Sequence, residues 1–174
     1  GLDRRTGNEK WRYETDHHVH ASPSAVDGKA LVGGCDGDLH VVDATTGAAG
    51  KRIPIGAQIG TSAAVVDGEA VLGHYGGGLV SVDVSGAEVF WRTQPTQLPI
   101  ISSPAVSGDR VFYGSRDKHL RAADRLTGDG LWKFRTRGRI DTGPVTCGGR
   151  VLAGSRDGRI YVLEAKDGAK LTLA

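Results

Sequence analysis

Long apolar runs are missing from this chain. No stretch approaches the roughly eighteen consecutive apolar residues of a membrane span, which excludes a transmembrane helix. Cysteine is nearly missing too: Cys35 and Cys147 stand far apart, with no second Cys or His at ligand spacing. That excludes a disulfide framework and a zinc site, and both read as small residues in turns. Methionine is absent altogether. No window shows the i, i+3, i+4, i+7 spacing of an amphipathic helix, so helical folds are excluded as well. No Ser/His/Asp or paired-carboxylate arrangement stands apart from the repeating positions described below, and catalytic residues are therefore expected to be none.

Glycine is abundant, at 27 residues, and recurs singly at turn positions instead of forming a linker. An acidic residue closes a short apolar run five times, at Asp3, Asp43, Asp83, Asp124 and Glu164. The spacing is about forty residues, a period that signals tandem copies of one supersecondary unit. A glycine follows each acid, at Gly7, Gly47, Gly86, Gly128 and Gly168, and a tryptophan follows three of them, at Trp11, Trp91 and Trp132.

The third copy is the cleanest. Its apolar runs are Ser103 to Val106, Arg110 to Gly114, His119 to Asp124 and Leu131 to Arg135, separated by Gly, Asp and Ser turns. Four short β-branched or aromatic runs per repeat predict a four-stranded antiparallel sheet, the blade of a β-propeller. The expected fold is all-β: one propeller domain over 1–174, with a blade remnant at 1–18 and blades at about 19–58, 59–99, 100–139 and 140–174. The remnant is expected to hold a complete outer strand, Glu9 to Glu14. The last blade is expected to hold only Lys170 to Ala174, without a tryptophan.

The stretch Ala122-x-Asp124-x-x-Thr127-Gly128-x-x-x-Trp132 resembles the tryptophan-docking motif of the pyrroloquinoline-quinone (PQQ)-like propeller repeats. Asp3, Gly7 and Trp11 match it, and Asp83, Gly86 and Trp91 match with a turn one residue tighter. Asp43 and Gly47 keep the turn, but Lys51 stands at the tryptophan place, and Thr172 stands there in the fourth unit. The motif residues, Glu164 included, are read as structural: the acid caps the turn and the indole packs between blades. Rings of this family usually have seven or eight blades. Four blades thus imply a partial ring, or half of an eight-bladed ring made by two chains paired through their blade edges.

The resemblance implies two classes of function. The favoured one is a non-catalytic scaffold binding a protein or ligand, with no cofactor. The alternative is a fragment of a PQQ-dependent quinoprotein dehydrogenase, whose quinone and calcium site would lie in missing blades. The family resemblance also implies a bacterial, extracytoplasmic setting. No apolar signal-like segment opens the chain, which starts in mid-repeat, so a targeting segment would belong upstream.

The charge distribution marks one face. The net charge is +2, yet residues 100–139 hold nine Lys and Arg against four Asp. In a propeller the blade-to-blade loop shares a face with the hairpin between a blade's second and third strands. That places Arg116, Lys118, Arg137, Arg139 and Arg156 together as a candidate surface for an anion or an acidic partner, with Asp117 and Asp157 neutralising part of the charge. Aromatics interleaved with these cations are missing, which excludes single-stranded nucleic acid. His18 and His20 fall on one side of an extended segment beside His17. No third ligand is evident, so a metal is not expected.

Overall fold

Short runs bounded by Gly and Asp turns become fifteen strands in the computed structural model, which describes residues 1–171. The first sheet is β1 (Ser24–Val26), β2 (Lys29–Gly33), β3 (Asp38–Asp43) and β4 (Ala49–Pro54). The second is β5 (Ala64–Val66), β6 (Glu69–Gly73), β7 (Leu79–Asp83) and β8 (Glu88–Arg92). The third is β9 (Ala105–Ser107), β10 (Arg110–Gly114), β11 (His119–Asp124) and β12 (Gly130–Arg135). The last contains β13 (Val145–Cys147), β14 (Arg150–Ser155) and β15 (Arg159–Glu164), with Lys170 bridged to Leu163 where an outer strand would begin. Within each sheet the strands pair antiparallel in chain order, so every sheet is a meander. The expected outer strand beyond Leu171, including Thr172, lies outside the described residues.

Asp-Gly sequences set the innermost hairpins. Asp27 and Gly28 have φ of 47° and 71°, and Asp67 and Gly68 have 50° and 77°. Two successive positive φ values define the turn whose twist matches the paired strands, and Asp and Gly tolerate them best. The N-terminal segment departs from expectation. Glu9 to Glu14 is not a full strand; only Leu2 and Glu9 pair.

The core lies between sheets rather than within one. Leu39, Val41 and Ile53 of the first sheet pack with Ala70, Leu72, Val80 and Val82 of the second. Val71 and Leu79 meet Val111, Tyr113 and Ala123, and Phe112, Leu120 and Ala122 meet Val151, Ala153 and Leu163. Alternation along each central strand thus feeds two different cores, one per face.

Each junction has an inner and an outer lock. In the inner lock, Ile59, Ile100 and Ile140 sit so close over Gly33, Gly73 and Gly114 that a methyl group on those glycines would overlap the isoleucine. In the outer lock, an indole N–H donates to a backbone carbonyl on the next sheet. Trp11 Nε1 reaches Ala44 O at 3.1 Å, Trp91 reaches Arg125 O at 2.7 Å and Trp132 reaches Ala165 O at 3.0 Å. Each ring rests against the turn glycine there: Gly47, Gly128 and Gly168. Between the first two sheets Lys51 takes this place, its ammonium donating to Ser85 O (3.2 Å) and Gly86 O (3.0 Å). The buried Glu69 pairs with the half-buried Arg125 at 2.8 Å and further ties the second sheet to the third.

Candidate anion-binding face

The turn acids act through their side chains on local amides. Asp43 Oδ1 accepts from Thr45 N and Thr46 N, Asp124 Oδ1 from Leu126 N and Thr127 N, and Asp3 Oδ1 from Arg5 N and Thr6 N. Asp83 Oδ1 accepts from Ser85 N. The Thr46 amide holds the Asp43 carboxyl below its ordinary value, and the Thr6 amide does the same for Asp3. Glu164 engages its turn through its backbone, its N–H donating to Ala169 O and its carbonyl accepting from Gly168 N.

In three of the four blades a hydrogen bond joins the entering loop to the blade's own central hairpin: Cys35 N to His18 O, Tyr75 N to Gln58 O and Arg156 N to Arg139 O. This brings three of the five candidate cations together. Arg116 Nε, Arg139 Nε and Arg156 Nε all lie on the Asp141 carboxylate, at 3.2, 3.1 and 3.0 Å. The Asp141 side chain is only 11% exposed, whereas Arg139 and Arg156 are 47% and 64% exposed. Three guanidinium charges on one carboxylate leave a surplus of two, held in place by the pairing.

The other two candidates stand differently. Arg137 joins through its backbone N–H to Asp157 Oδ2 at 3.0 Å, and the Lys118 carbonyl accepts from Thr136. The neutralising acids are also not the expected ones. Asp117 is taken by Arg121, which bonds both of its oxygens, and Asp157 accepts from the Tyr161 hydroxyl at 2.7 Å. Burial pushes the Asp117 carboxyl up, but the Arg121 hydrogen bonds and charge outweigh it and hold the group below its ordinary value.

Two features escaped the sequence reading. Asp141 has no counterpart at the matching places, Ile101 and Gly60, so the repeat gave no reason to single it out. The second is an acid paired four residues on: Asp36 with His40 (2.6 Å), Asp117 with Arg121 and Asp157 with Tyr161. A repeated D-x-x-x spacing was the available signal. His18 and His20 stack with ring centroids 6.4 Å apart. Among the described residues no three His, Cys, Asp or Glu side chains converge as metal ligands.

A family model described as outer membrane protein assembly factor BamB, of the PQQ-like repeat type, matches residues 35–172. The chain belongs to the PQQ-like β-propeller family. BamB from Moraxella catarrhalis superposes with a TM-score of 0.83 at 22% identity, covering 95% of this chain and 56% of that one. Quinohemoprotein alcohol dehydrogenase ADHIIG from Pseudomonas putida HK5 superposes with a TM-score of 0.81 at 16% identity, over 93% and 34% of the two chains. At these identities the likeness concerns the fold. Methanol dehydrogenase [cytochrome c] subunit 1 of Methylobacterium organophilum is 58% identical over 31 residues, which are 18% of this chain and 5% of that protein. The family member thus spans little more than half of the BamB chain and a small part of methanol dehydrogenase.

Proposed function

We propose that this PQQ-like propeller segment is a non-catalytic binding scaffold whose ligand is an acidic segment of a protein partner, in an extracytoplasmic setting. One observation carries the reading: Arg116, Arg139 and Arg156 are held around Asp141 with two positive charges uncompensated. Pre-organised guanidinium forks favour carboxylates, and their exposed ends leave room for them. The outer-membrane assembly description of the matching family supports an extracytoplasmic protein-docking role. Titration with a hexaglutamate peptide tests this. Binding that weakens with salt and disappears in an Arg139→Ala/Arg156→Ala variant of unchanged circular dichroism is expected. No binding, or binding indifferent to the two substitutions, refutes it.

The scaffold also carries an open edge. Ile160 occupies the place of Leu39, Leu79 and Leu120, yet it is 75% exposed where they are at most 2%. We propose that a further blade packs there, from the rest of a longer ring or from a second chain. Light scattering on the 18.2 kDa chain tests the second source, which a well-folded monomer would refute.

The alternative, a fragment of a quinone-dependent dehydrogenase, draws on the short methanol dehydrogenase match. The residues present do not fit a quinone held over calcium. The candidate face is built of arginines, and among the described residues no acidic cluster offers ligands to a hard cation.

A further inference from the structure

The tryptophan strands carry a second packing position, two residues after the indole place, occupied by Tyr13, Ile53, Thr93 and Phe134. Three of them pack on the next sheet, whereas the Thr93 hydroxyl accepts from Leu79 N in its own sheet at 2.9 Å. Tyr13 meets His40, with ring centroids 5.6 Å apart and its hydroxyl 2.8 Å from His40 Nδ1. Ile53 is fully buried among Leu72 and Val80. Phe134 meets Tyr161 at 5.5 Å. At the junction of the second and third sheets the residue is Thr93, which is too small to fill the same seat.

A cavity of about 470 Å³ opens there. Thr93, Gln94, Tyr113, Arg121 and Lys133 line it. The pairing of Tyr113 with Arg121 and of Arg121 with Lys133 across β10, β11 and β12 puts those three side chains in one row on one face of the sheet. Asp117 grips the Arg121 guanidinium through both oxygens and fixes its plane. Lys133 has no ion-pair or hydrogen-bond partner among the described residues. The seat filled by a ring at two other junctions is therefore empty here, and it is faced by a fixed guanidinium plane and a free ammonium.

We infer that this cavity binds a small, flat aromatic carboxylate. The ring takes the position that Phe134 and Tyr13 take elsewhere and stacks on the Arg121 guanidinium, which presents a weakly hydrated planar face. The carboxylate pairs with the Lys133 ammonium, and the Tyr113 phenol closes the inner wall. The volume lies within the range of ordinary ligand sites. This site is independent of the arginine cluster at Asp141.

Titration of the isotope-labelled chain with 2-naphthoate, followed by amide chemical shifts, tests the inference. Saturable shifts centred on Thr93, Arg121 and Lys133 are expected, with 2-naphthylmethanol weaker by about tenfold or more because it lacks the charge. Lys133→Gln, which removes the positive charge and keeps a polar side chain, is expected to weaken 2-naphthoate by a similar factor. Thr93→Phe, which fills the seat from within, is expected to abolish binding while the shifts elsewhere stay native. Three results overturn the inference: no saturable shifts at these residues, equal binding of the alcohol, or full binding by the Lys133→Gln protein. Should Thr93→Phe fail to fold, the Lys133→Gln and alcohol comparisons still decide it.

Discussion

The junction of the first two sheets and the junction of the third and fourth do the same job with different outer residues. Both have the inner isoleucine over glycine, Ile59 on Gly33 and Ile140 on Gly114. At the outer rim one has Trp132 against Gly168, and the other has Lys51 reaching Ser85 and Gly86. The lysine reproduces the hydrogen bond to the turn but not the apolar area. A cleft of about 290 Å³, lined by Lys29, Val41, Lys51 and Val84, remains at that rim. The inner lock is therefore the invariant part of a junction, and the outer lock adjusts its strength.

Removing an indole tests that division most severely. Trp91 is 8% exposed, and Trp91→Ala is expected to cost about 3–5 kcal/mol, read from chemical denaturation. A loss under 1 kcal/mol would show that the outer lock is dispensable. Next come Gly33→Ala and Gly114→Ala, each expected to cost about 1–3 kcal/mol by overpacking against isoleucine. Equal losses at the two junctions would confirm that the inner lock is the same in both; unequal ones would break the comparison. Lys51→Ala is expected to cost no more than about 1 kcal/mol, since an exposed ammonium gives up water to make its bonds.

The turn caps should register only in acid. Asp3, Asp43 and Asp83 titrate below their ordinary 3.8 because backbone amides bond the charged form. Depressed carboxylates contribute stability that is complete above 3.8 and is lost as the pH falls from there through the folded-state values. Stability is therefore expected to hold from neutral pH down to that value and then decline. Asp43→Asn is expected to soften the decline slightly, as measured by acid titration of circular dichroism.

Periodic positions were legible because packing and turn geometry require the same residue type in every copy. The runs Arg110 to Gly114 and His119 to Asp124 became β10 and β11 with those bounds. The nearness of Arg116, Arg139 and Arg156 was legible for a similar reason, since loop and hairpin positions follow from the strand order, whereas Lys118 and Arg137 join no such cluster. Asp141 was not, because a residue that appears in one copy leaves no period to detect. The cavity beside Thr93 was hidden too, because a small residue just past the end of a strand looks unremarkable until its neighbours are filled in.

The amino-acid order by itself determined the inner strands, the turns and the direction of each meander, since these depend on local φ, on alternation and on the reach of a few residues. Only the tertiary structure decided which charges meet and which stay free. Whether Arg139 and Arg156 share Asp141, or Lys133 goes unpaired, depends on distances between blades, and such distances are fixed by packing across sheets that no local pattern encodes.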